Sequence, residues 1–519
     1  MSLFKIQHLA LAATAMYAGT LSASDSLATV SLATVSLATV SRHLPSTLFW
    51  SEVYSQPAAM LWQPYTGKGS VEASYARSGQ ESYHLLGDGE GGQAFGLEAK
   101  GAAKRTQVML WGNASYSYRQ RERVQWSSVS DGFRMGPYQL ADSIGGRMYG
   151  ERYRLSGGLS AMLGRWTWAA EAAYTAGNDY RRNDPRPKTI TSDLLAKAGG
   201  SRPLGHYQAG ITVSGGVYQQ DLDINVMGNI NNKAQIFAMR GFGLYDLLHS
   251  SYTSSFRWQY SGVSYGAAAF LLPRNRSGWT LHGAAGRESM ESLAEPATPN
   301  SRYPFMLSTL TANVLAGYSV RSSAAASELK LRCATQESAG SERLYKLMQP
   351  EGATLTEYHL LSESDKYART LRQLALSGLH ERHSARRSKW LQLEASVESY
   401  AERYAYPSYA ARYVHAGVQA AAGAEQRWEK ALLAVEVALG CRYLAAKEEK
   451  VPYGSYIFAR SMQPDLEVMA SSPLNGGAKV AYEHDFIGST RWFVSLRATG
   501  LWYRGSHAAW GTAVVGAVF

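Results

Sequence analysis

Cysteine is nearly absent from this sequence: there are two in 519 residues, Cys333 and Cys441, too far apart in the chain to suggest a disulfide framework. Both sit among apolar residues of matching parity, which reads as buried or lipid-facing thiols rather than a redox or metal pair. Long apolar runs are missing as well. After Leu21 no stretch approaches the roughly eighteen consecutive apolar residues of a membrane-spanning helix, so residence in a bilayer requires a closed barrel, because hydrocarbon leaves no backbone group unpaired. There is also no dense basic cluster. The formal charge is +11, but the 52 Lys and Arg are scattered among 41 Asp and Glu, which sets nucleic acid aside as a partner.

What is present is glycine (49), tyrosine (33) and tryptophan (13), with a mean hydropathy of −0.26 despite 45% hydrophobic residues. Strands with one apolar and one polar face produce this average, since the two faces cancel in any window. At the N-terminus, Lys5, an apolar run from Leu9 to Leu21 and the small residues Ser22, Ala23 and Ser24 read as a signal peptide over 1–23. Residues 24–68 read as a spacer and lead-in. Ser-Leu-Ala-Thr-Val occurs three times over Ser26–Val40, too short to stack as a solenoid. The lead-in carries Trp50, Trp62 and Tyr65 with Pro57 and Pro64; it is either a periplasmic segment or one tucked into the barrel.

From Gly69 to Phe519 the dominant signal is period two. Trp166, Trp168, Ala170, Ala172 and Tyr174 share one face and Thr167, Glu171 and Thr175 the other; Trp492, Val494, Leu496 and Ala498 oppose Ser495, Arg497 and Thr499. Charges on alternate positions are costly against lipid and cheap against water, so the apolar set points outward. The expected fold is all-β: a single transmembrane antiparallel β-barrel of about eighteen strands, with 14, 16 or 20 as alternatives, in the cell outer membrane. Strand starts are expected at 69, 92, 105, 148, 166, 192, 206, 251, 279, 304, 326, 367, 388, 409, 428, 475, 491 and 509. A change of phase near Gly262 leaves open whether Tyr252–Leu272 is one strand or two. Gly164-Arg165 and Arg202–Gly205 read as short periplasmic turns. Arg121–Arg147, Leu222–Ser250, Ser338–Lys366 and Ala446–Leu474 read as long polar extracellular loops. Trp502 and Tyr503 fall where an interfacial aromatic girdle precedes a loop. The terminal strand ends in Phe519, read as a barrel-assembly signal for the barrel-assembly machinery.

Trp126-Ser127, Ser130-Asp131, Pro137-Tyr138 and Ala141–Gly146, together with Asn183-Asp184-Pro185-Arg186-Pro187, resemble an uncharacterised family of Bacteroidota-type outer-membrane β-barrel proteins, over roughly Leu48–Phe519. The resemblance implies location, fold and work beside a TonB-dependent receptor or surface lipoprotein. It assigns no substrate and no catalytic residue.

No catalytic constellation stands out. His383-Ser384 is read in a periplasmic turn and His249-Ser250 at a loop end, so a barrel phospholipase or protease is not expected. His380 and His383 have metal-ligand spacing only on a helix, and they are read in the same turn. The candidate lumen-facing residues are Arg152, Arg154, Glu171, His282, Glu328, Lys330, Arg332, Glu394, His415, Glu436 and Arg497. His282 and His415 could bind haem or a metal, but ordinary lumen polarity is the preferred reading; no cofactor is assigned. Both charge signs are present, so neither anion nor cation preference follows. A channel or transport-associated barrel is the leading function. The alternative is a surface-interaction or structural barrel, its lumen filled by side chains, residues 41–68 or inward-folded loops and its long loops engaging a partner; whether the lumen is open separates the two.

Overall fold

The computed structural model describes residues 45, 49–63, 69–80, 83–227, 235–249, 254–295, 302–349, 357–486, 490–503 and 506–519. The expected signal peptide and the pentapeptide repeats lie outside these. In chain order the strands are β1 (Gly69–Gln80), β2 (Gly91–Lys104), β3 (Val108–Val124), β4 (Leu140–Asp142), β5 (Gly146–Leu163), β6 (Trp166–Arg181), β7 (Arg186–Leu204), β8 (Tyr207–Val226), β9 (Ile236–Gly241), β10 (Leu244–His249) and β11 (Ser254–Pro273). They continue with β12 (Gly278–Ala294), β13 (Phe305–Arg321), β14 (Ala325–Met348), β15 (Glu357–His383), β16 (Arg387–Tyr404), β17 (Tyr409–Arg427), β18 (Ala431–Lys450), β19 (Leu474–Asp485), β20 (Arg491–Tyr503) and β21 (Ser506–Val518). All but β4, β9 and β10 form one antiparallel sheet of 18 strands. It closes where β1 pairs with β21, Ser70 opposite Val518, and Gly69 and Phe519 exchange two backbone hydrogen bonds of 3.0 Å.

The alternation in sequence becomes the two faces of this wall. On β20, Trp492, Val494 and Leu496 are exposed on the outside while Phe493 and Ser495 are buried inside. Leu329 and Leu331 on β14 and Val435, Val437 and Leu439 on β18 likewise face out. Cys333 and Cys441 share that outer face as free, exposed thiols. Trp166, Trp168, Trp279, Trp428 and Trp492 mark the end of the barrel that carries the short turns, as an aromatic belt at a membrane surface does.

Connections 105–107, 164–165, 205–206, 274–277, 322–324, 384–386, 428–430 and 486–490 lie at this short-turn end. The opposite end holds the long ones, but one of the four expected long loops is largely strand. The stretch Ser338–Lys366 is mostly strand: β14 and β15 stay paired out to Met348 and Glu357, so only 349–356 connects them. Beyond the barrel rim both faces of this ribbon are largely exposed, the alternation of polarity lapses, and a strand there reads as a loop. For the same reason β15 starts ten residues before the expected 367. The Asn183–Pro187 stretch holds only a four-residue connection, 182–185, because Arg186 and Pro187 already belong to β7, which starts at 186 rather than 192. The connection after Trp502-Tyr503 is only 504–505. The phase change near Gly262 leaves β11 one strand, in unbroken register with β12 from Trp258 to Leu271. His383 ends β15 rather than lying in a turn. His380 is exposed outside, against Ser327 Oγ at 2.9 Å, whereas His383 turns toward Glu381 at 3.2 Å, since residues three apart on a strand face opposite ways.

Candidate functional site

Chain segments occupy the lumen at both ends. At the short-turn end the lead-in folds into a helix, Ser51–Tyr54, and a 3-10 turn, Pro57–Trp62, inside the barrel. Phe49, Trp50, Val53, Ala58 and Ala59 are buried against Ala169, Phe270, Leu315, Leu379 and Trp390 of the wall. Polar contacts fix its position. Trp50 Nε1 donates to Ser319 Oγ (2.9 Å), Lys330 Nζ to the Phe49 carbonyl (3.0 Å) and Ser201 Oγ to the Ala58 carbonyl (2.8 Å). Of the two placements open for the lead-in, it takes the one within the barrel.

At the long-loop end, Arg121–Arg147 and Leu222–Ser250 were expected as polar extracellular loops, but the connections found there, 125–145 and 227–253, fold inward in their described parts. β4, β9 and β10 form a small sheet of their own in the mouth. Val129, Met135, Tyr138, Leu140, Ile236, Ala238 and Phe242 are buried in one apolar cluster with wall residues Tyr218, Trp258, Phe305 and Tyr367. Two short helices, Tyr456–Ser461 and Gln463–Met469, complete this cap, with Phe458 and Leu466 in the same cluster. The apolar residues scattered through these loops were the signal that they have an interior to face.

Charged contacts tie the 125–145 loop to five strands. Arg134 donates to Asp193 of β7 (2.9 Å) and Glu288 of β12 (2.7 Å), with its guanidinium 3.9 Å from the centre of the Tyr218 ring on β8. Asp131 accepts from Arg152 of β5 (3.1 Å) and from the Tyr218 hydroxyl (2.7 Å). Burial works against the Asp131 carboxylate, but Arg152 and Tyr218 outweigh it and hold its pKa below the usual range. Asp142, fully buried, accepts from Arg181 of β6 (2.6 Å) and from the Ile144 and Gly145 amides (3.0 and 2.7 Å), so the ion and its hydrogen bonds lock the end of the loop.

Tyr138 stacks on Phe305 at 4.7 Å, and the wall opposite has room for it only because residue 340 is glycine. A Cβ there would stand 2.5 Å from the Tyr138 hydroxyl and 2.6 Å from its ring, and would meet no other atoms that close. Gly340→Val is expected to expel the ring while leaving the barrel paired. Limited proteolysis should then cut within 125–145 in the folded variant and not in the parent; equal resistance would contradict the contact.

Between lead-in and cap lies a chamber of about 1390 Å³. Of the candidate residues, Arg152, Arg154, Glu171, Arg332 and His415 line it. Glu171 accepts from Lys197 (3.0 Å) and Trp111 (3.3 Å), Arg332 lies 3.6 Å from Glu52 of the lead-in, and His415 Nδ1 accepts from Arg442 (3.0 Å). His282 is buried beside the Gln56 amide at 3.4 Å. Glu328 pairs with Arg321, Glu394 accepts from Ser377 (2.7 Å), and Glu436 and Arg497 flank Lys479 on neighbouring strands. His282 and His415 therefore sit apart, one under the lead-in and one under the cap. Among the described residues no three His, Cys, Asp or Glu side chains come together as a metal site.

One cap contact is pH-sensitive. Asp465 on Gln463–Met469 accepts from the Leu86 amide at 2.8 Å, linking the cap to the 81–90 connection. Burial raises its carboxyl pKa to about 7, with Asp88 adding to the shift and the Leu86 amide opposing it. A carboxyl whose folded pKa lies above its unfolded value contributes fully at low pH, and this contribution falls as pH rises from the unfolded value toward the folded one. Each unit is worth about 1.4 kcal/mol. Hydrogen exchange at Leu86, corrected for the intrinsic rate, should thus show more protection at pH 5 than at pH 8, and Asp465→Asn should abolish the difference. A pH-independent parent would count against this.

Residues 57–519 match the model of a family of unknown function, DUF6850. The chain belongs to that family. The matched stretch takes in the lumenal turn Pro57–Trp62 along with every strand. A search of curated proteins finds no match. Among solved structures, similarity is found to the ferric preacinetobactin receptor BauA of Acinetobacter baumannii (7% identity, TM-score 0.37, 87% of this chain and 80% of that one). It is also found to the ferric yersiniabactin uptake receptor FyuA of Yersinia pestis (9%, 0.36, 88% and 80%). The siderophore receptor PiuA of Acinetobacter baumannii is a third (8%, 0.37, 86% and 81%).

Proposed function

We propose that this protein is a gated channel of the cell outer membrane, with residues 49–63 as the stop at the short-turn end and the 125–145 loop as the constriction at the other. The observation that carries this reading is the chamber of about 1390 Å³ held between two chain segments that fold inside the barrel. Eighteen strands enclose enough space for water and a small solute once those segments move. The apolar outer face suits outer-membrane lipid, and the final strand with Phe519 suits recognition by the barrel-assembly machinery. Work beside a TonB-dependent receptor or a surface lipoprotein belongs to the same proposal. Planar-bilayer recordings test it: the full chain should be mostly closed with brief discrete openings, and a chain lacking residues 49–63 should stay open. Silence from both would end the channel reading.

A second reading is favoured by the β14–β15 ribbon. Beyond the barrel rim it exposes Leu344 and Met348 on one face and Leu347 and Leu360 on the other, apolar side chains that a partner protein or lipoprotein gripping the ribbon would cover. Removing residues 343–364 should then abolish partner recovery from detergent extracts while bilayer behaviour is unchanged; undiminished recovery would reject it.

A further inference from the structure

The chamber wall is not evenly charged. Inward positions on β3 and β5 place four arginines in a rising series. Arg121 and Arg119 belong to β3, while Arg152 and Arg154 of β5 stand opposite Ser117 and Ser115. Measured along β3, the backbone level of each arginine is therefore two residues from the next, a step of about 6.6 Å. All four line the chamber.

Most carboxylates around them are already committed. Asp179 takes Arg119 (2.9 Å), Asp131 takes Arg152 (3.1 Å), Asp193 takes Arg134 (2.9 Å), Glu171 takes Lys197 (3.0 Å) and Glu98 takes Lys100 (3.0 Å). Two charges in the series have no such partner. Arg154 is exposed to the chamber, flanked across strands by the neutral Ser115 and Thr175, and makes no ion pair among the described residues. Arg121 gives Nη1 to the Gly87 carbonyl (3.0 Å), while its buried Nη2 has no partner. The next carboxylate around the wall, Glu72 on β1, stands three strands from Arg154 and receives Ser70 Oγ at 3.2 Å. Arg119 and Arg152 also keep about a third of their side-chain surface open (33% and 39%), so each can hold its present carboxylate and still meet a second anion.

We infer that this series is a binding track for small anionic solutes bearing carboxylate or phosphate groups, with Arg154 as the residue that holds the solute at the chamber centre. Planar guanidinium forks receive carboxylate or phosphate oxygens in pairs, and such charge-assisted bonds are about twice as strong as neutral ones. Backbone levels about 6.6 Å apart, each bearing a long flexible side chain, let a dianion bridge two neighbouring arginines. Asp131 already does with its carboxylate at Arg152 what such a solute would do one step along.

The inference rests on the channel reading for its biological sense but is tested separately, by equilibrium binding to the full chain in detergent micelles. Succinate is the probe, and ethylenediamine, a dication of similar length, is the control. Succinate should bind, about tenfold more weakly in Arg154→Ala and with partial recovery in Arg154→Lys. Ethylenediamine should not bind. Inorganic phosphate should compete with succinate, which separates general anion binding from a demand for two carboxylates. Arg412→Ala, exposed on the outer face beside Glu448 and outside the chamber lining, should leave affinity unchanged and serves as the folded control. No succinate binding, unchanged affinity in Arg154→Ala, or equal binding of the dication would each overturn the proposal. Binding in a protein that is silent in bilayers would leave the track standing and remove only the channel.

Discussion

Deleting residues 49–63 should convert a mostly closed barrel into one with long-lived openings and a conductance about an order of magnitude higher, as expected when an eighteen-stranded lumen loses an obstruction. Nothing in the wall depends on this segment for strand pairing, because all 18 strands pair with one another. The wall residues that would be uncovered, Phe270, Leu315 and Trp390, become exposed to lumen water, so the deleted protein should also melt earlier. A milder variant separates loss of mass from loss of anchorage. Trp50→Ala removes the largest apolar contact and the bond to Ser319 without shortening the chain, and it should give openings intermediate in duration. If the parent opens and the deletion conducts no better, the obstruction lies wholly in the cap and the gate has been assigned to the wrong end.

Arg134→Ala should loosen the constriction from above. It strands Asp193 and Glu288 and removes the cation above Tyr218, so the loop should lose about 3 kcal/mol of attachment, the low end for a broken buried pair because both carboxylates retain some water. The result to look for is rapid hydrogen exchange from Ser128 to Leu140 in a barrel whose strands remain protected. Arg134→Lys, with one point charge in place of a fork, should recover only part of the protection. Exchange indistinguishable from the parent would show that the apolar cluster around Tyr138 holds the loop unaided.

The barrel was legible in the sequence because a wall between hydrocarbon and water must alternate residue by residue. The starts of β1, β6, β17 and β20 agree with expectation to the residue, and the count of eighteen holds. Where that constraint lapses, the reading fails. The outer reaches of β14 and β15 are exposed on both faces, so Ser338–Lys366 reads as a loop. The lumen contents were illegible for a different reason. Arg134 finds its carboxylates 59 and 154 residues away, and no local pattern announces such a pair. Arg152, Arg154 and Glu171 were picked out from parity alone, but parity does not say which carboxylate answers which guanidinium, and the uncommitted charge on Arg154 appears only once all the others are matched.

Around the whole ring each strand's neighbour is also its successor among the barrel strands, except at the single junction of β1 with β21. A chain built this way can add one hairpin after another at low entropic cost, leaving one joint between segments roughly 450 residues apart to be made against a much larger loss of freedom. Until that joint forms, both margins of the sheet present unpaired amides and carbonyls to any other chain nearby. Kinetic vulnerability is therefore concentrated in two strands, β1 and β21, and substitutions there should slow completion of the ring far more than equal damage elsewhere.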